Sequence, residues 1–130
     1  MDEHERYLFD LNGYLAVRGA LSAAELAELN ALMDERIAHD VPGDATTHRF
    51  GDVLDWGPAV RTLIDHEPML PYLEEILGAD FRLDHDYADL IRHGKGPIGT
   101  RLHGGAVPFD PGQSYTFIEG RPRSGLLVIA

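Results

Sequence analysis

The spacing of apolar residues changes once along the chain, from a helical period to an alternating one. After Ser22, apolar residues recur at the spacing of one helix face, at Leu26, Leu29, Met33 and Ile37. Ser22 and Glu25 have the spacing of a capping box, in which the serine oxygen accepts from a free helical N–H and the glutamate reaches back. The pattern predicts a helix that begins after Ser22 and ends before Val41-Pro42-Gly43.

Two shorter helices are predicted beside prolines. Pro58 suits the first turn of a helix, and a second helix follows Pro68 and runs to Leu77, where Gly78 ends it. The apolar positions that we expect to face inward are Val60, Leu63, Ile64, Leu70, Leu73, Ile76 and Leu77.

The segments between these helices have weaker patterns. Residues 14–17 suggest a short strand after the turn signal Asn12-Gly13. Residues 43–57 have no sustained period and predict a long loop with at most one short strand. A lid over a site is one reading of this loop, but a packed connection anchored by Trp56 is favoured.

Beyond Gly78 the pattern alternates. Apolar or aromatic residues and charged residues take turns from Phe81 to Tyr87, which predicts a strand that extends towards His93. Further strands are predicted at residues 101–103, at 114–118 and from Leu126 onward, with turns at 94–97 and 119–125 and a loop at 108–112. Helices followed by strands predict an α+β fold, in which residues 1–130 form a single domain.

Composition excludes several classes of protein. Eleven basic against twenty-two acidic residues give a net charge of −11, which disfavours nucleic acid as a partner. The absence of cysteine excludes disulfides and thiolate metal sites. The sequence contains neither the run of ~20 apolar residues that a membrane helix needs nor a signal-peptide segment. We therefore expect a cytoplasmic protein without a membrane partner.

The run Leu126–Ala130 is apolar on both faces, which is typical of a strand in the middle of a sheet. The strands predicted before it are too few to surround such a strand. We therefore expect the chain to be the N-terminal part of a longer fold, truncated within a core strand. An open sheet edge beside this run would also favour self-association.

Three stretches carry a resemblance to a known family: "GYLAVRGALSAAEL" near the N-terminus, "RLDHDY" at residues 82–87 and "LHGG" at residues 102–105. Together they resemble the phytanoyl-CoA dioxygenase family of Fe(II)- and 2-oxoglutarate-dependent oxygenases. The resemblance covers nearly the whole chain but only the front part of such an enzyme. It implies an incomplete double-stranded β-helix of the jelly-roll or cupin type after the helices. It also implies hydroxylation of a small organic substrate, with Fe(II) and 2-oxoglutarate as cofactors.

The resemblance implies that His103 is the first metal ligand. The family carries H-x-D at this place, whereas position 105 is glycine in this chain. Three outcomes stay open: Asp110 supplies the carboxylate, the site has lost iron, or a halide fills the position as in related halogenases. Weak or absent iron binding that depends on His103 is the expected result, and the chain alone is expected to be inactive.

His85 and Tyr87 are secondary candidates on the alternating strand. A core role with a hydrogen bond to a neighbour is favoured for His85, and contact with substrate is the alternative. The acidic residues beside it are expected to pair across strands with arginines; these are Asp84, Asp86 and Asp89, and Arg82, Arg92 and Arg101. A non-catalytic fragment or interaction module without metal stays open as the alternative function.

Overall fold

Within residues 1–92 and 110–130, the chain is an α+β protein with helices at its N-terminus and two small antiparallel sheets of two strands each, and neither sheet is closed. The computed structural model describes residues 1–92 and 110–130. The predicted turn at 94–97 and the predicted strand at 101–103 lie outside these residues. The helices are α1 (Glu3–Asn12), α2 (Ala23–Asp40), α3 (Pro58–Arg61) and α4 (Leu70–Leu77). The strands are β1 (Thr47–Gly51), β2 (Tyr87–Ile91), β3 (Tyr115–Ile118) and β4 (Arg121–Ser124).

Contacts divide the described residues into two compact units. The first unit contains Met1–Ala20, Asp65–Arg82 and residues 110–130, and therefore holds α1, α4 and the β3–β4 sheet. The second unit contains Leu21–Ile64 and residues 83–92, and therefore holds α2, α3 and the β1–β2 sheet.

Helix α1 opens the first unit and was not predicted. Asp2 caps it by accepting from the Glu5 N–H at 2.8 Å, while the Glu5 carboxylate accepts from the Asp2 N–H at 2.9 Å. This capping box uses aspartate. The apolar residues after it do not recur at a clear helical spacing, so the sequence did not predict the helix. The helix ends at Gly13 in the left-handed conformation. The short strand predicted at residues 14–17 is wrong, because that segment has no strand conformation.

Helix α4 supplies the buried face of the first unit. Leu73 and Ile76 are 4% and 3% exposed, and the helix ends at Gly78, as predicted. The helix packs against β4, whose Pro122 is fully buried. From the same strand, Arg123 donates to the backbone carbonyl of Glu75 at 2.6 Å.

Strands β3 and β4 form a hairpin with a two-residue turn. Glu119 and Gly120 both have positive φ, 52° and 76°, and this turn geometry matches the twist of an antiparallel pair. The turn predicted over residues 119–125 is therefore wrong beyond Gly120, since Arg121–Ser124 is a strand. The hydrophilic composition of β4, three polar residues around one proline, had favoured a loop.

The strand predicted from Leu126 is also wrong. Residues 126–130 have no strand conformation, and Val128 and Ile129 are 72% and 53% exposed. An apolar run becomes a core strand only when other strands pair along its edges and other elements cover both of its faces. Neither of the two described sheets includes this run.

In the second unit, helix α2 confirms its prediction. Ser22 accepts from the Glu25 N–H at 3.3 Å and the Glu25 carboxylate accepts from the Ser22 N–H at 2.8 Å. One apolar position differs from expectation, because Leu26 is 49% exposed. The core of this unit is formed by Val41, Phe50, Val53 and Val60, with Leu29, Met33, Ile37, Leu63 and Trp56 packed against them.

The β1–β2 sheet confirms one prediction and corrects another. Residues 43–57 contain one short strand, β1, followed by a 3-10 turn at Val53–Trp56. Trp56 does anchor this segment, since its ring lies edge-on to Phe50 at 5.3 Å. The strand predicted from Phe81 begins only at Tyr87, because pairing with β1 starts there, at Gly51 opposite Tyr87. Alternation alone does not reveal where a partner strand ends.

Among residues 1–92 and 110–130, no helix has the length and apolar character that crossing a membrane requires.

Candidate functional site

The metal position implied by the family resemblance, His103, lies outside the described residues, as do Gly105 and Arg101. Its assignment therefore stays a prediction. Asp110, which the sequence offered as a replacement carboxylate, lies within the described residues, so its surroundings can be stated.

The Asp110 carboxylate caps the 3-10 turn at Pro111–Gln113. Its Oδ1 accepts from the Gly112 backbone N–H at 2.8 Å, and its Oδ2 accepts from the Gln113 side-chain amide at 3.1 Å. Aspartate side chains commonly form such turns by bonding to the backbone two residues on. Each carboxylate oxygen thus has a local donor, and binding of a metal by Asp110 would compete with these bonds.

Residues 1–92 and 110–130 contain no cluster of three or more histidine, aspartate or glutamate side chains placed to hold a metal ion. The described residues therefore do not by themselves provide the two-histidine, one-carboxylate set that holds iron in the resembled family.

Three side chains of the second unit lie together on the exposed face of the β1–β2 sheet and just before β2; they are Arg49, Tyr87 and His85. The rings of His85 and Tyr87 stack at 5.5 Å with an angle of 8° between their planes. The guanidinium of Arg49 lies 4.3 Å from the centroid of the same tyrosine. Arg49, Tyr87 and His85 thus form one continuous stack, which we call the Arg-Tyr-His stack.

The core role favoured for His85 is wrong, although the hydrogen bond to a neighbour is present. Its side chain is 57% exposed, and its Nδ1 lies 2.7 Å from Asp84 Oδ2. His85 lies two residues before the first residue of the described β1–β2 pairing, outside the sheet in which a core role was expected. The remaining alternative, contact with a substrate, is not tested by these residues.

The Arg49 guanidinium is held by Asp89, directly opposite on β2. Arg49 Nε and Nη2 donate to the two carboxylate oxygens at 2.8 and 2.7 Å. The hydrogen bond from Arg49 lowers the pKa of Asp89; burial opposes this shift, and the attraction between the charges adds to it. The same hydrogen bond raises the pKa of Arg49. The two bonds engage the guanidinium along its Nε–Nη2 edge, in the bidentate geometry typical of an arginine–carboxylate pair.

Among the described residues, Asp86, Asp89 and Arg92 have partners other than those predicted, and Arg101 lies outside these residues. Asp89 pairs with Arg49, and Asp86 accepts from the Leu54 backbone N–H at 2.9 Å. Arg92 instead donates to the carbonyls of Gly43 and Ala45, both at 2.6 Å. Sequence reasoning missed Arg49 because it lies in the segment read as a loop, 40 residues from its partner. Only recognition of β1 as a strand would have suggested the cross-strand pair.

The first unit holds a second charged cluster. The Glu75 carboxylate accepts from the N-terminal ammonium at 2.7 Å and from Arg6 Nε, and Tyr72 donates to Glu5 at 2.9 Å. Burial alone raises the pKa of Glu75, but the bonds from Arg6 and the ammonium group outweigh it and lower that pKa. The cluster ties α1 to α4, so its role is structural.

Comparison of the chain with family models, with curated proteins and with solved structures found no match.

Proposed function

We propose that the chain is part of a protein of the phytanoyl-CoA dioxygenase type, and that its iron site has lost the carboxylate ligand. The family couples oxidation of 2-oxoglutarate to succinate and CO2 with insertion of the second oxygen atom of O2 into a C–H bond of a small organic substrate. In this chain His103 is the retained metal position, and the affinity for Fe(II) is weak or absent.

The observation that carries the proposal is the order of the three resembling stretches within a fold of matching class. "RLDHDY" leads directly into strand β2, "LHGG" follows it in sequence, and helices precede both. The two antiparallel sheets are compatible with part of an incomplete double-stranded β-helix, which we include in the proposal.

Two observations support the loss of the carboxylate. Position 105, where the family motif carries aspartate, is glycine. The nearest alternative, Asp110, already accepts two hydrogen bonds within its own turn. One missing anionic ligand weakens an Fe(II) site, because carboxylate is one of the three protein ligands of its facial set.

The second candidate is a non-catalytic interaction module that binds no metal. It is favoured by the same glycine at position 105, since a protein without iron needs no ligand there. The two candidates differ in one measurable respect. Only the first predicts that a carboxylate restored at position 105 would cooperate with His103.

Titration with Co(II), used as an oxygen-stable substitute for Fe(II), tests the proposal. The wild type is expected to bind weakly, and His103→Ala is expected to lose that binding. Gly105→Asp is expected to bind more tightly on the order of tenfold or more, a gain of at least about 1.4 kcal/mol. Asp110→Ala is the matched control, and its affinity should equal that of the wild type.

Several results would overturn parts of this proposal. Tight binding that survives His103→Ala would exclude His103 as the ligand, and binding abolished by Asp110→Ala would identify Asp110 as the carboxylate. Equal weak binding by the wild type and Gly105→Asp would support the non-catalytic module. Iron-dependent succinate formation by the wild type well above that of His103→Ala would contradict the loss of the iron site.

A further inference from the structure

Helix α1 carries an exposed apolar patch on the side away from its own unit. Tyr7 and Leu11, one helical turn apart, are 61% and 64% exposed, and Tyr14, just beyond the helix end, is 68% exposed. We call these residues the Tyr7–Tyr14 patch. Phe9, roughly opposite Tyr7 on the helix, is 7% exposed. The helix is therefore apolar on two sides, and only one of them packs within the first unit.

The charged side chains along one side of the patch are acidic. Glu3 lies one turn before Tyr7 and Asp10 three residues after it, and both are exposed, while exposed His4 borders the other side. Arg6, the one arginine of a helix without lysine, donates to the Glu75 carboxylate, so its charge is compensated within the unit. An apolar patch with an acidic side is complementary to a partner that has apolar residues beside lysine or arginine.

We propose that the Tyr7–Tyr14 patch is a docking surface for a basic amphipathic helix of a partner protein. The partner would place its apolar face on Tyr7 and Leu11 and direct its cationic side chains to Glu3 and Asp10. Exposed aromatic residues are enriched at such interfaces, since they offer a large apolar area at a small cost in side-chain entropy.

The charge pattern disfavours other occupants. A second copy of the chain docking through the same patch would bring Glu3 and Asp10 close to their own equivalents, and the net charge of −11 adds to that repulsion. An anionic membrane or a nucleic acid would meet the same repulsion, because each attracts basic and not acidic surfaces. A cationic helix is the occupant that satisfies both the apolar and the charged features.

Binding to a synthetic helical peptide with leucines on one face and lysines on the other tests the proposal. Fluorescence anisotropy of the labelled peptide is expected to show saturable binding to the wild type, weakened by added salt. The double variant Tyr7→Gln/Leu11→Gln is expected to bind at least about tenfold more weakly, because it removes the apolar anchors. Glu3→Gln/Asp10→Asn is expected to weaken binding and to reduce its salt dependence. Asp10 accepts a hydrogen bond from the Tyr115 hydroxyl at 2.7 Å, and the amide oxygen introduced by Asp10→Asn keeps an acceptor for it.

Two controls keep this test specific. Val128→Gln removes an apolar side chain of similar exposure elsewhere in the first unit, and it should leave binding unchanged. A peptide with glutamate in place of each lysine should not bind. No saturable binding to the wild type would overturn the proposal. So would equal binding by the acidic peptide, or equal weakening by Val128→Gln and by the Tyr7/Leu11 double variant. Circular dichroism melts confirm that each variant is folded.

Discussion

Arg49 and Asp89 face each other directly across the β1–β2 sheet and are joined by two hydrogen bonds of 2.8 and 2.7 Å. The same guanidinium covers the ring of Tyr87 at 4.3 Å. A planar guanidinium can make both contacts at once, whereas an ammonium group makes neither bidentate bonds nor a comparable stack. The pair links the two described strands of this sheet at one position of their register.

The Arg49–Asp89 pair makes stability depend on pH in the acid range. The pKa of Asp89 is lowered in the folded chain, so its contribution is complete above its unfolded value of about 4 and is lost as the pH falls through the folded value. Asp89→Asn should therefore melt at a lower temperature than the wild type at neutral pH. Melting curves recorded from neutral pH to about pH 2 should show this difference shrinking as Asp89 becomes protonated.

Two variants check that prediction. Arg49→Lys should behave like Asp89→Asn at neutral pH, since it removes the paired geometry. Glu75 also has a lowered pKa and stabilises the first unit over a similar range, so the wild-type melt alone is not diagnostic. A difference between wild type and Asp89→Asn that persists unchanged in acid would refute the assignment.

Ile76 and Val128 test the corrected position of the core. Ile76→Ala should lower the free energy of unfolding by roughly 2–5 kcal/mol, because the side chain is 3% exposed and its loss leaves a cavity. Val128→Ala should change it by no more than about 0.5 kcal/mol, since Val128 is 72% exposed. Denaturant unfolding measures both. A large loss for Val128→Ala would restore the core strand that the sequence predicted.

Gly125 allows a close approach of two backbone segments. A Cβ atom at this position would overlap the Gly112 carbonyl and lie 2.9 Å from the Gly112 Cα. Gly125→Ala should therefore destabilise the chain by roughly 1–3 kcal/mol, the usual cost of overpacking. Gly43→Ala is the matched control, because a Cβ there meets no atom within 4 Å, and it should be near neutral. Equal unfolding free energies for the two variants would contradict the close approach.

Tyr115 should titrate later than an ordinary tyrosine. Burial and the hydrogen bond it donates to Asp10 at 2.7 Å raise its pKa to about 12. Because neutral Tyr115 is favoured in the folded chain, its contribution to stability is complete below about pH 10 and is lost as the pH rises towards the folded value. The hydrogen bond to Glu5 also raises the pKa of Tyr72, so the Tyr115 transition is identified by difference. Phenolate absorbance should show a late transition that Tyr115→Phe removes and that Asp10→Asn shifts to lower pH. An unshifted transition in Asp10→Asn would exclude the pairing.

The sequence was sufficient to predict a helix where both the capping residue and the helical spacing of apolar residues could be recognised. Helix α2 was predicted from Ser22, Glu25 and the spacing after them, and α4 from its apolar face and Gly78. The strands were predicted less well, because pairing decides where a strand begins and ends. β1 contains Arg49 and Gly51 and has no alternation, and it becomes a strand through pairing with β2.

The same limit applies to the candidate site. The sequence suggested that His85 and Tyr87 share a face, and the stacked rings agree. It did not suggest Arg49, because a contact across 40 residues leaves no local pattern. The resemblance pointed to His103 by motif alone, and that residue lies outside the described part of the chain.

The proline in β4 determines at which edge the β3–β4 sheet can accept another strand. The backbone N–H of Gly125 donates to the Ser114 carbonyl, on the side of β3. Backbone nitrogens along a strand point alternately to its two edges, so that of Pro122, three residues earlier, points to the opposite edge of β4. That nitrogen carries no hydrogen, and an added strand would find no donor there. The sheet can therefore be extended at β3 but not readily at β4. Any strand that completes this sheet, whether from the same protein or from a second molecule, is expected to join beside Tyr115–Ile118.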